Sequence, residues 1–298
     1  MPELPEVQTT VSGLAKVLPT LSFTSLWTDW PKMFRGTTVP TIKKAILNKK
    51  IKGVERRAKN ILIHFENDYT LLIHLKMTGH LLYGHYKEHL KTWVPHESEK
   101  NDALRDPYNR FIHVLFSLSN GKHLAFCDTR KFGKLVLINT PLLSHSPHLS
   151  HLGPEPLSPA FTFNLFKERL LKKKNGKIKT VLMDQSVLAG IGNIYSDEVL
   201  WRSSIHPEQK VSSLTSQQLK KLFSVIRPTL LGGIAFGGDS TSDYRNIYGE
   251  KGNFQNKHHA YRKTGKPCEK RGCKGVILRK VVNGRSAHYC SIHQPLLK

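Results

Sequence analysis

The chain opens Met1-Pro2-Glu3. A start methionine is usually removed when a small residue follows it, which would leave the secondary amine of Pro2 at the chain start. Such an amine can attack C1′ of a sugar and form a charged iminium, dividing one difficult displacement into easier steps. The iminium also acidifies the neighbouring sugar proton, which allows strand cleavage by elimination. An α-amine titrates near roughly 8, and surrounding Lys and Arg lower that value and keep more of the amine neutral. Glu3, beside it, can shuttle a proton to the sugar oxygen. On spacing alone a plain reading stands next to this one: Pro2 is simply the neighbour of the start residue.

A second chemical grouping lies at the other end. Cys268, Cys273, Cys290 and His293 follow the order C-x4-C-x16-C-x2-H. Zinc takes four N or S ligands tetrahedrally, and two close pairs separated by a hairpin supply them without strain. The tail 263–298 is too short to bury a core alone, so a metal crosslink explains how it folds. Four protein ligands fill the coordination sphere, so one structural Zn2+ is expected rather than a catalytic ion. Cys127, the remaining cysteine, reads as a small buried apolar residue.

Lys plus Arg number 46 against 22 Asp plus Glu, a formal net charge of +24 in 298 residues. That excess implies a polyanionic partner, nucleic acid before an anionic membrane, because no basic amphipathic helix dominates. Residues 255–298 alone hold 11 Lys plus Arg and one acid, Glu269. A basic hairpin of this kind suits a DNA groove, with Arg285 near its tip. No apolar run approaches the ~18 residues needed to span a bilayer. The N-terminus lacks the basic and apolar regions of a signal peptide. Four cysteines in an intracellular chain point to metal or free thiols rather than disulfides.

The elements that must position these groups can be read coarsely. After the tip PELPEV, Val7, Val11, Leu14 and Leu18 fall on one helical face. From about 21 to 140 the signals are strand-like, with β-branched runs at 59–65, 70–75, 111–118 and 134–138 parted by turn residues, which predicts a β-sandwich. The polar segment 86–110 reads as a long, flexible surface loop. Five prolines in 141–159 predict an inter-domain hinge. Beyond it, 161–174, 178–183, 192–201 and 215–231 read as helices, the last ended by the Gly-rich stretch 232–238. Residues 239–262 read as a polar loop and 263–298 as a small β-hairpin.

Six motifs now stand in one order: MPELPEV, HLKMTG (74–79), DTRKFG (128–133), HLGPEPL (151–157), MDQSVLAGIGNIYSDE (183–198) and the terminal Cys/His hairpin. Together they resemble the formamidopyrimidine-DNA glycosylase and endonuclease VIII family, the formamidopyrimidine branch above all, over essentially the whole chain. The resemblance implies an α+β protein: an N-terminal β-sandwich with a flanking helix (1–140), a hinge (141–159), a helix–two-turn–helix domain (160–238), a lesion-capping loop and linker (239–262), and a zinc-finger β-hairpin (263–298). It implies a bifunctional glycosylase and abasic-site lyase of base excision repair. Its substrate would be 8-oxoguanine and formamidopyrimidines in double-stranded DNA, with β,δ-elimination through a Pro2 iminium. Pro2 would be the nucleophile, Glu3 the acid, and Lys59 a lysine that approaches the lesion or its phosphate. Met77, Arg130 and Phe132 would enter the space left by the extruded base, whose flipping costs a few kcal/mol. Lys179, Asn193, Arg285 and His113 would be DNA contacts, with backbone N–H groups around Gly190–Gly192 binding a phosphate. The loop 237–244 would cap the lesion. A monomer is expected, cytoplasmic and associated with the nucleoid through DNA.

Three features depart from that pattern. The metal motif uses C-x4-C and ends in His293, where the bacterial form has four Cys. Residues 86–110 are longer than the family needs, and Lys76 stands where Gly is common. Two other readings remain: an endonuclease VIII-like glycosylase for oxidised pyrimidines, and a non-catalytic binder of damaged DNA. RNA binding through the helical motif would leave the N-terminal motif and the metal hairpin without a role.

Overall fold

The computed structural model describes residues 1–296 and divides into two compact units. The first comprises Met1–Ser150 with Phe236–Asn253, the second His151–Ala235 with Phe254–Lys298, its last two residues lying outside the described range. The boundary at 150/151 falls inside the proline-rich stretch. Part of that stretch is not a linker, because Thr140–His145 is a 3-10 helix of the first unit. Residues 236–253 also differ from expectation: they pack with the N-terminal unit instead of linking two C-terminal domains.

The first unit starts with helix α1 (Leu4–Val17). Pro5 lies in its first turn, where a missing N–H costs nothing. The expected stripe of Val7, Val11, Leu14 and Leu18 is buried. Two four-stranded antiparallel sheets follow. One has the order β1 (Phe23–Thr28), β8 (Ile112–Leu118), β9 (His123–Cys127), β5 (His80–Gly84). The other runs β10 (Lys134–Asn139), β4 (Tyr69–His74), β3 (Asn60–Phe65), β2 (Ile51–Arg57). Alternate residues of each sheet, such as Phe23, Phe116 and Phe126 against Ile61, Ile63 and Ile73, meet in one apolar core that also takes the α1 stripe. This is the sandwich expected from strand periodicity.

Two segments depart from the sequence expectation. Within the strand-like region lies a helix, α2 (Val39–Ile46), capped by the Thr38 hydroxyl on the Thr41 N–H and burying Ile42 and Ile46. Residues 86–110 are folded rather than a flexible loop. They form a hairpin of β6 (Tyr86–His89) and β7 (Thr92–Pro95), then two 3-10 turns, Asp102–Arg105 and Pro107–Arg110. Tyr86 and Leu104 are buried in a small second core with Ile112, Leu115 and Cys127.

The second unit holds α3 (Phe163–Leu171), α4 (Ile178–Met183), α5 (Asn193–Ser203) and α6 (Ser216–Ala235). The last runs beyond the expected stop, so Gly232 and Gly233 lie inside it. Gly233 is needed there, since a Cβ would stand 2.4 Å from the Tyr195 hydroxyl. The tail is the two-stranded ribbon β11 (Ile277–Val282) and β12 (Arg285–Cys290). Among the described residues no helix is long and apolar enough to cross a membrane.

Candidate nucleic-acid interface and metal centre

Pro2 and Glu3 are buried at the entry of α1. Glu3 is the N-cap residue, and its backbone N–H donates to Glu6 Oε2 at 2.7 Å. The other Glu6 oxygen accepts the Asp239 N–H at 2.8 Å, and the Tyr244 hydroxyl donates to the Glu6 carbonyl at 3.0 Å. One carboxylate therefore fixes both the start of the chain and the loop after α6. Sequence reasoning missed Glu6, although Glu three residues after a cap position is a known helix-start signal.

Lys59 is buried in the two-residue turn between β2 and β3, where Ala58 takes φ +54° and Arg57 pairs with Asn60. Its charge is felt by His74, at the end of β4. Burial, then Lys76, Lys134 and Lys59, push the His74 imidazole down to about 3. Neutral His74 accepts the Lys76 N–H on Nδ1 at 2.9 Å. Burial also lowers Lys134, with Lys76 and Arg35 adding to the effect. Lys59, Lys76 and Lys134 thus gather their positive charge around one neutral imidazole. His74 was the first residue of the HLKMTG motif but had no role in the sequence reading.

The structure brings Met77, Arg130 and Phe132 together at the surface. Arg130 Nη1 lies 3.3 Å from Met77 Sδ, and its guanidinium sits 4.5 Å from the Phe132 ring centre. Met77 is 41% exposed and Phe132 48%, unusual for large apolar side chains, so neither is a core residue. Their two loops share one buried anchor. Asp128 accepts the Thr78 hydroxyl and the Arg130 N–H on Oδ1, and the Gly133 N–H at 2.7 Å on Oδ2. Gly133 has no room for a side chain, because a Cβ would meet Phe126 at 2.4 Å.

His113 is buried on β8. Its Nδ1 is 2.9 Å from Asp29 Oδ1, and Nε2 has no protein partner. With Nδ1–H held by the carboxylate, Nε2 is a buried nitrogen without a hydrogen-bond partner.

In the second unit, one expected contact is corrected. Lys179 is wholly buried, and its amino group donates to the Asn193 carbonyl at 3.2 Å, Ser196 Oγ at 3.1 Å and Asp197 Oδ1 at 2.6 Å. An ammonium with three internal acceptors and no exposure does not present itself to a phosphate. Gly190 is corrected likewise: its N–H is taken by Gln185 Oε1 at 2.8 Å. Gln185 Nε2 donates to the Met183 and Ile191 carbonyls, so this one side chain fixes the turn leading into α5.

Asn193 heads α5, and its Nδ2 donates to Ser286 Oγ at 3.1 Å. That bond ties the helix start to β12 next to Arg285, which is exposed just after a turn with Asn283 at φ +46° and Gly284 at φ +75°. Asp197 reinforces the link, as its Oδ2 accepts the His288 N–H at 3.0 Å and lies 2.8 Å from His288 Nδ1.

The ligand atoms of Cys268, Cys273, Cys290 and His293 all lie within 4.8 Å of one another. Cys268 Sγ is 3.3 Å and Cys273 Sγ 3.8 Å from His293 Nδ1, and the Cys273 and Cys290 sulfurs are 3.5 Å apart. Tetrahedral zinc, with bonds of about 2.0–2.3 Å, separates its donors by about 3.5–3.8 Å. His293 Nε2 donates to the Trp201 carbonyl at 3.1 Å, which leaves Nδ1 as the ligating atom. A side chain at Gly275 would stand 2.5 Å from Cys290 Sγ, so glycine keeps the cradle open. The residues fit a closed Cys3His site.

Comparison with known proteins gives the family. The model of the formamidopyrimidine-DNA glycosylase N-terminal domain matches residues 1–135, and that of the formamidopyrimidine-DNA glycosylase H2TH domain matches 152–245. The formamidopyrimidine-DNA glycosylase of Pelotomaculum thermopropionicum is 39% identical over 290 residues, covering 97% of this chain and 98% of the relative. That of Herpetosiphon aurantiacus is 39% identical over 295 residues, covering 99% and 100%. Among solved structures, Lactococcus lactis Fpg bound to DNA with an abasic site superposes with TM-score 0.84 at 32% identity, covering 98% of this chain and 99% of that one. MutM with DNA containing carbocyclic 8-oxo-G gives 0.83 at 32% identity, with the same coverage. With both domain models matched and the relatives aligned end to end, the chain belongs to the formamidopyrimidine-DNA glycosylase family.

Proposed function

We propose that this protein excises oxidised purines, 8-oxoguanine and formamidopyrimidines, from double-stranded DNA and then cuts the strand at the abasic site. The observation that carries the reading is the exposed cluster of Met77, Arg130 and Phe132, mounted on two loops pinned by Asp128. A flipped nucleotide leaves a gap in the stack. A thioether and a phenyl ring can fill it, while the guanidinium between them satisfies the orphaned partner base. Relatives solved with 8-oxo-G, Fapy-dG and abasic DNA support the substrate class.

The chemistry begins with the Pro2 amine, freed by removal of Met1. Its lone pair attacks C1′, the bond from C1′ to the damaged base breaks, and the base leaves with a proton. Glu3 delivers a proton to the sugar ring oxygen as the ring opens, giving the iminium. Loss of a C2′ proton then expels the 3′ phosphate, and a second elimination expels the 5′ phosphate. Lys59 stands at a phosphate or at the lesion. Asn193 and Arg285 bind phosphates, and His113 is a further DNA contact. Cys268, Cys273, Cys290 and His293 hold one zinc ion, whose role is to crosslink the hairpin and not to react. The protein acts as a monomer in the cytoplasm, on the nucleoid.

Borohydride trapping on a duplex with a single 8-oxoguanine tests the reading. Protein lacking Met1 should form a stable crosslink, which Pro2→Gly should sharply reduce. Glu3→Gln should abolish base excision while sparing DNA binding. No crosslink on 8-oxoguanine or on a preformed abasic site would overturn it.

A further inference from the structure

The segment 99–110 packs against the loop that follows α6. Asp106 faces Arg245: Oδ2 lies 3.2 Å from Nη2 and 3.4 Å from Nε, and Oδ1 is 3.3 Å from Nη2. Arg245 is 1% exposed, and its guanidinium stacks 4.8 Å from the Tyr108 ring centre. Its Nη1 turns back to the Ser242 and Tyr244 carbonyls at 3.2 and 2.9 Å, so the same side chain gathers the loop around itself. Asn101 Nδ2 donates to the Tyr248 carbonyl at 2.7 Å. Gly249, at φ +83°, sits so close that a Cβ would lie 2.6 Å from the Ala103 carbonyl oxygen. Asn109 completes the contact from below, its Nδ2 donating to Ala103 O at 2.8 Å and its Oδ1 accepting from His80 Nε2 at 2.8 Å.

The segment is rigid in its own right. Asn101 and Asp106 cap its two 3-10 turns, Glu99 accepts the His85 and Asn101 N–H groups, and Leu104 is buried. The loop meanwhile is held on its other side by Glu6 and by Tyr83, whose N–H donates to the Ile247 carbonyl at 2.7 Å. It is thus gripped from both sides with no lesion present.

We propose that 99–110 is a brace that holds 239–249 ready for an extruded base. Asp106 is then a positioning residue for base excision, acting through Arg245. The inference rests on the reading of 237–244 as the lesion-capping loop. A loop already ordered loses less entropy when the base arrives, so the brace serves excision of a base and has no part in cutting a site that has lost its base.

The test compares wild type and Asp106→Asn in single-turnover excision of 8-oxoguanine, in cleavage of a preformed abasic site, and in amide exchange of 239–249 without DNA. Asn at 106 keeps the cap to the Tyr108 N–H through Oδ1, but loses the charge and sets an amide NH2 donor against Arg245 where Oδ2 accepted. Excision should fall about tenfold, the loss of one charge-assisted hydrogen bond. Abasic-site cleavage should be unchanged and loop exchange faster. Asn101→Ala, which removes the contact to Tyr248, should act in the same direction. Unchanged excision and exchange would overturn the brace, and so would an equal fall in both activities with a lower melting temperature. Wild type that leaves 8-oxoguanine uncut would defeat the functional reading by itself. The exchange comparison would then still decide whether the brace orders the loop.

Discussion

Lys179 Nζ and Asp197 Oδ1 lie 2.6 Å apart with neither side chain exposed. Asp197 meets His288 of the metal-bearing hairpin with its other oxygen. A buried charge whose partner is deleted is uncompensated, at a cost of about 3–5 kcal/mol. Lys179→Met should therefore lower the unfolding free energy by that amount, read as a lower urea midpoint at unchanged slope. It should leave the salt dependence of DNA affinity unchanged, because a residue that touches no phosphate releases no counterion. A shallower salt slope would return Lys179 to the DNA interface.

Arg130→Ala and Phe132→Ala should do the opposite. Both side chains are exposed, so stability should change by no more than about 0.5 kcal/mol. Excision of 8-oxoguanine should fall roughly ten- to a hundredfold, since a few kcal/mol of base flipping is no longer offset. Kinetics paired with thermal melts check this, and wild-type rates in Phe132→Ala would contradict the wedge.

Stability should depend on His74 at mildly acidic pH. The folded protein holds this imidazole at about 3, below its ordinary 6.5. The unfolded chain therefore binds the proton more readily, and the contribution of His74 is complete above 6.5 and is lost as pH falls towards about 3. His74→Asn keeps an acceptor for the Lys76 N–H and removes the titration. Between pH 7 and 5 its urea midpoint should fall less than that of wild type. Parallel curves would mean that His74 is charged in the folded state.

Chelation should unfold the hairpin selectively. One zinc per chain should be released by a thiol-reactive mercurial. His293→Ala should lose the ion and, with it, protection of the amides of β11 and β12, while those of the sandwich stay protected. Retained protection in the metal-free protein would show that packing alone holds the tail.

Much of this site was legible in the sequence, for local reasons. The α1 stripe shows because its period is helical, and the metal cluster because its ligands are paired along the chain. What escaped depends on distant partners. Lys179 reads as one more cation in a basic chain until Asp197, on another helix, closes over it. Segment 86–110 has no regular period; its order comes from the caps at Asn101 and Asp106 and from Arg245, more than a hundred residues on. Helix α2 is eight residues long, and its two buried Ile look like a strand's unless Thr38 is recognised as a cap.

The double grip of Glu6 on Glu3 and Asp239 has a consequence for synthesis. On the ribosome the sandwich emerges first, but the piece that clasps its opening turn is made only after the helices of the second unit. The opening turn therefore waits for the segment that ends at residue 253 before its clasp is complete, and a nascent chain that stalls earlier carries a sandwich whose first residues are held from one side only.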